Sequence, residues 1–147
     1  MSFIKFVNKI FSKKTKKSKN IDIINLCLKV LIVDDATVNR YILRKYIEKC
    51  STKLDIHEAM NGYMALDMCK ENKYDIIFMD IKMPGISGIE TTKLILERYP
   101  NTFIIGTTGQ IERSVTKEAL DVGMYKCIGK PIDVRTIKGL LDTVYLV

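Results

Sequence analysis

Between Lys29 and the chain end, short apolar runs of strand length alternate with longer segments whose apolar residues recur every three or four positions. Lys29–Val33 (KVLIV) is short and rich in β-branched residues, which predicts a strand buried on both faces. Val38, Ile42, Leu43, Tyr46, Ile47 and Cys50 then fall at helical spacing, with Thr37 available as N-cap. Leu54–Ala59 is a weaker strand, and Asn61-Gly62 a turn before a short helix over Tyr63–Lys70. Ile76–Met79, with Tyr74 before it, is a continuous apolar run that ends at Asp80. Met83-Pro84-Gly85 marks the turn beyond it.

A helix through Ile89–Arg98 stops before Pro100, because the residue preceding a proline is disfavoured in helical conformation. Thr102–Gly106 is the fourth strand, Glu112–Val122 a helix closed by Gly123, and Lys126–Gly129 a short fifth strand. Asp133 can cap a last helix in which Ile137, Leu140, Leu141 and Val144 share a face. Five strand–helix units in succession predict a doubly wound α/β domain with a parallel sheet, filling residues 29–147. No residues are left over for an effector domain, so the expectation is a stand-alone module.

In open parallel sheets, ligands bind in the crevice at the carboxyl ends of the strands. The residues just past the predicted strands are Asp34-Asp35, Asp80, Thr107-Thr108 and Lys130-Pro131. Singly, each has an ordinary explanation: loop solvation, a helix cap, a surface charge. Together, three carboxylates in one crevice repel, since two unit charges 4 Å apart cost about 4 kcal/mol at an effective dielectric near 20. Protonation or a cation relieves this. A hard divalent ion with oxygen ligands fits, and Mg²⁺, which keeps waters and shares its shell with phosphate, suits a partly open site. Lys130 and the Thr108 hydroxyl then supply what a phosphoryl group on Asp80 needs, with Asp80 as nucleophile forming an acyl phosphate.

Charge and cysteines narrow the picture. Of the net +7, residues 1–29 account for all: eight lysines stand there against Asp22, and the rest of the chain is neutral. The high pI therefore gives the domain no nucleic-acid signature, and the tyrosines form no stacking platform with basic interleaving. Within residues 1–28, a basic N-terminal extension, Phe3, Ile4, Phe6, Val7, Ile10 and Phe11 share an arc of roughly 160° on a helical wheel. The KKTKKSK run follows, so residues 1–20 are a candidate contact with an anionic membrane surface. Cys27, Cys50, Cys69 and Cys127 have no zinc-type spacing and no secretory leader is evident. Reduced thiols in a cytoplasmic setting are expected.

With these residues on the page, the chain resembles the receiver domains of two-component response regulators. The matching stretches are LIVDDATVNR, EAMNGYMAL, YDIIFMDIKMPGISGIE, TFIIGTTG and IGKPID. The resemblance, rather than the pattern, implies a flavodoxin-like sheet in the order 2-1-3-4-5. It implies that Asp80 accepts phosphate from a phosphohistidine on a histidine kinase or phosphotransfer protein. Mg²⁺ would be held by Asp35, Asp80 and the main-chain carbonyl of Lys82, with Asp34 reaching it through water. Thr108 would be the switch hydroxyl, Lys130 the phosphate-binding amine, and Lys130–Pro131 a cis peptide bond. Lys82 and Gln110 occupy positions that tune dephosphorylation in the family.

One position departs from the commonest pattern. Many receivers carry Tyr or Phe three residues before the lysine, where this chain has Cys127; with Thr108-Gly109 it resembles receivers attached to eukaryotic-type hybrid histidine kinases. The primary expectation is a phosphorylation-dependent switch or relay intermediate acting on an unidentified downstream protein. It is not an enzyme beyond its own phosphorylation and dephosphorylation. The alternatives are a receiver-like binding module that keeps the fold and metal site without switching, and an aspartate-nucleophile phosphatase. The last is disfavoured by Lys82 standing where that chemistry places a second acid. His57 is expected to be a solvated strand residue.

Overall fold

A computed structural model describes residues 27–51 and 53–146. The predicted amphipathic and polybasic features of residues 1–20 lie outside them. The elements are β1 (Leu28–Val33), α1 (Thr37–Cys50), β2 (Leu54–Ala59), α2 (Gly62–Glu71), β3 (Ile76–Asp80), α3 (Gly88–Arg98), β4 (Phe103–Thr108), α4 (Arg113–Asp121), β5 (Lys126–Gly129) and α5 (Val134–Leu146). All strand pairs are parallel, and the sheet order is β2-β1-β3-β4-β5. This is the doubly wound flavodoxin-like order. No helix among the described residues is long and apolar enough to cross a membrane.

The two faces of the sheet are covered by separate sets of helices. Leu31, Val33, Ile77, Met79 and Ile104 pack with Ala65 and Cys69 of α2, Ile95 of α3 and Ala119 of α4. Val30, Ile32, Ile76, Phe78 and Ile105 pack with Ile47 of α1 and Ile137, Leu140 and Leu141 of α5. The central strands therefore read as continuous apolar runs because both of their faces are buried.

Several local expectations need adjustment. Thr37 does not cap α1: Ala36 holds the cap position and the helix has no side-chain cap bond, while the Ala36 N–H itself donates to the Asp34 carboxylate at 2.8 Å. Tyr74 is not part of β3, which starts at Ile76; its hydroxyl meets His57 Nδ1 at 2.8 Å. His57 is accordingly half-buried between Tyr74 and Asp55, whose Oδ1 is 3.1 Å from Nε2, and is not a free solvated side chain. β4 runs on to Thr108, so Thr107 and Thr108 are the last strand residues and both are buried. α4 is shorter than predicted, with Glu112 at its N-cap position, but its end at Gly123 matches. There the φ of +110° lets Gly123 N–H reach Leu120 O and Met124 N–H reach Ala119 O, closing the helix. Asp133 caps α5 as expected, accepting from Thr136 N–H at 2.8 Å.

Candidate functional site

β1 and β3 are adjacent in the sheet, and their ends deliver Asp34, Asp35 and Asp80 to one place. Each of the three carboxylates offers an oxygen within 4.8 Å of the other two; Asp34 and Asp80 are buried and Asp35 is exposed. The β5 end supplies Lys130, whose Nζ lies 2.5 Å from Asp34 Oδ2 and 3.3 Å from Asp80 Oδ1. Lys130 N–H donates to Thr108 O at 2.7 Å, and the Lys130–Pro131 bond is cis. Thr107 is the register partner of Asp80, so Thr108 lies one step beyond it on the neighbouring strand.

A single ammonium does not balance three carboxylates. Burial pushes the Asp80 carboxyl up to about 6; Lys130 pulls it down and the Asp34 charge raises it again. The donor set is all oxygen, carries net negative charge and is open on the Asp35 side. That chemistry fits a hard divalent cation such as Mg²⁺.

The backbone behind Asp80 is equally constrained. A Cβ on Gly88 would stand 1.9 Å from the Asp80 carbonyl oxygen, so the first turn of α3 closes onto the end of β3 only because position 88 lacks a side chain. Gly85 turns the intervening loop with a φ of +81°.

The model of the response regulator receiver domain matches residues 30–142. The chain belongs to that family. Phosphoryl acceptance is the general function of such receivers in two-component signalling. This receiver is 36% identical over 116 residues to the chemotaxis protein CheY of Thermotoga maritima, spanning 79% of this chain and 96% of that protein. It is 31% identical over 125 residues to the hybrid signal transduction histidine kinase K of Dictyostelium discoideum, of which it spans 10%. It is 29% identical to the aerobic respiration control sensor protein ArcB of Escherichia coli, of which it spans 15%. Among solved structures, the chemotaxis protein CheY4 of Vibrio cholerae superposes with a TM-score of 0.73 at 25% identity, covering 81% of this chain and 99% of that one.

Around the acidic centre, the receiver places other side chains that sequence reasoning missed. Arg40, buried on the first turns of α1, donates from Nη1 to Asp34 O at 2.8 Å, from Nε to Glu58 Oε2 at 3.2 Å and from Nη2 to Thr37 Oγ1 at 3.2 Å. Asn39 Nδ2 lies 3.2 Å from both oxygens of Asp34. Both residues lie within one and a half helical turns of the Asp34-Asp35 pair, and that closeness in sequence was the available signal. Lys82 has its backbone N–H on Asp80 Oδ1 at 3.3 Å, while its ammonium meets Glu112 Oε1 at 2.8 Å.

Of the predicted switch positions, Thr108 lies at the strand end beside the site, while Cys127 lies further back in β5, opposite Gly106. The Thr108 hydroxyl donates to the Gln110 carbonyl at 2.9 Å, holding it within its own loop. Cys127 is a half-buried free thiol in β5, packed against the core on the α2–α4 side, and burial pushes its pKa up. Cys69 is also free and fully buried, Cys50 half-buried and Cys27 exposed.

Proposed function

We propose that this receiver accepts a phosphoryl group on Asp80 from a phosphohistidine and thereby switches contacts with another protein. The observation that carries this reading is the position of Lys130, within 3.3 Å of Asp80 and 2.5 Å of Asp34, at the mouth of a three-carboxylate cluster. An Asp80 carboxylate oxygen attacks phosphorus, the phosphorus–nitrogen bond of the donor breaks, and the imidazole departs as the neutral base once protonated. Lys130 stabilises the negative charge that develops on the phosphoryl oxygens, and the Thr108 hydroxyl turns from Gln110 to an oxygen of the product. Asp35, Asp80 and the Lys82 carbonyl would hold Mg²⁺, with Asp34 acting through water. When bound, that ion neutralises charge on the transferring group.

The added charge biases a two-state equilibrium of the loops facing Asp80. A histidine kinase or histidine phosphotransfer protein is the donor, and exposed Val38, Tyr41 and Ile42 on α1 offer it an apolar surface beside the site. Residues 1–20 are proposed to reach an anionic membrane surface, which co-sedimentation with anionic and with neutral vesicles tests; equal sedimentation would remove the idea.

Incubating the protein with Mg²⁺ and acetyl phosphate, then measuring intact mass, tests the central reading. One phosphoryl adduct is expected on the native chain and none on Asp80→Asn. Cys127, in place of an aromatic ring, favours a second reading, a binding module without a switch; Mg²⁺ binding with no adduct would select it.

A further inference from the structure

The Lys82–Glu112 pair spans the mouth of the site, joining the loop after β3 to the loop after β4. Lys82 has two anionic neighbours to choose between. Its backbone N–H already rests on the Asp80 carboxylate, yet its ammonium is turned to Glu112. Glu112 in turn sits at the N-cap position of α4 but makes no side-chain cap bond, and the first turn of that helix holds no acid. Both side chains are largely open to solvent, 60% and 40% exposed, so the pair is weak and easily exchanged.

We propose that Glu112 is a positioning residue: it holds the Lys82 ammonium off Asp80 until Asp80 carries a phosphoryl group. This rests on the reading of Asp80 as phosphoacceptor. Phosphorylation replaces a carboxylate of charge −1 by a group of nearly −2 with three acceptor oxygens. A flexible four-carbon stem lets Lys82 follow the larger charge. Glu112, released, remains beside the α4 N-terminus, where a negative charge is favoured by the helix dipole, so its separation from Lys82 is partly compensated. The exchange frees the loop between Thr108 and α4 at the same moment that the phosphoryl group competes with the Gln110 carbonyl for the Thr108 hydroxyl. Two ties on one loop thus yield to the same new charge.

Phosphorylation rates at varied acetyl phosphate concentration and low ionic strength test this on four full-length proteins: native, Glu112→Gln, Lys82→Gln and the double variant. Freeing Lys82 draws the anionic donor in. Glu112→Gln is therefore expected to lower the half-saturating donor concentration about two- to five-fold without changing the maximal rate, and the effect should fade at high salt. In the Lys82→Gln background the same substitution should change nothing. An equal effect in both backgrounds would overturn the proposal, because Glu112 would then act through its own charge alone. No adduct on the native protein would overturn both this and the phosphoacceptor reading; a labelled protein with additive effects would overturn only the pairing.

Discussion

Lys130 Nζ lies 2.5 Å from Asp34 Oδ2, tying the end of the last strand to the end of the first. Because Asp80 is the ammonium's second partner, Lys130 is the cation that makes the cluster tolerable without a metal. Lys130→Ala should cost about 2–4 kcal/mol, since it leaves buried carboxylates unpaired. Urea unfolding in EDTA checks this, and added Mg²⁺ should recover much of the loss.

The raised Asp80 pKa sets a pH dependence with a definite sign. The folded chain holds this proton up to about pH 6, whereas the unfolded chain releases it near 4. Its stabilising contribution is therefore complete below about pH 4 and lost as the pH rises through 6, about 3 kcal/mol in all. In EDTA, Asp80→Asn should be more stable than the native chain at pH 7.5 and equal to it near pH 4. Thermal melts at the two pH values decide it, and Mg²⁺ should abolish the difference at pH 7.5.

Arg40 joins three groups: the Asp34 carbonyl, Thr37 and Glu58. Arg40→Met keeps the apolar stem but strands a buried carbonyl, at a cost of about 1–3 kcal/mol. Glu58 keeps Arg44, so the loss should stay local. Urea midpoints measure the stability, and slower labelling of Asp80 is expected alongside.

Gly88→Ala is the harshest single-atom change near the site, because the new methyl would collide with the backbone of Asp80. Relief requires moving α3 or the end of β3, and a loss of about 3 kcal/mol or more is expected. Circular dichroism melts test it. Gly109→Ala, where a Cβ meets nothing within 4 Å, is the control and should melt near the native temperature.

Much of this arrangement was readable from the chain. Strand-length apolar runs bounded by turns gave the alternation, and the residues at their ends gave Asp34, Asp80 and Lys130. What escaped depends on partners far apart in sequence. Tyr74 looked like strand because it precedes an apolar run, but its hydroxyl is satisfied by His57 from another element. Thr37 looked like a cap because it is a threonine before a helix, but it is the first helical residue and Ala36, with no side chain able to cap, holds the N-cap position. Glu112 looked like the first residue of a helix, and its partner Lys82 is 30 residues away. No periodicity encodes such pairs.

β3 is buried along its whole length and bonded on both sides, to β1 and to β4. Asp80 is thus mounted on the central, fully buried strand of the sheet, with α3 closing against its carbonyl from behind. If Asp80 is phosphorylated as proposed, the displacement is expected in front, in the segments after β3, β4 and β5, with the message running along the surface and not through the sheet.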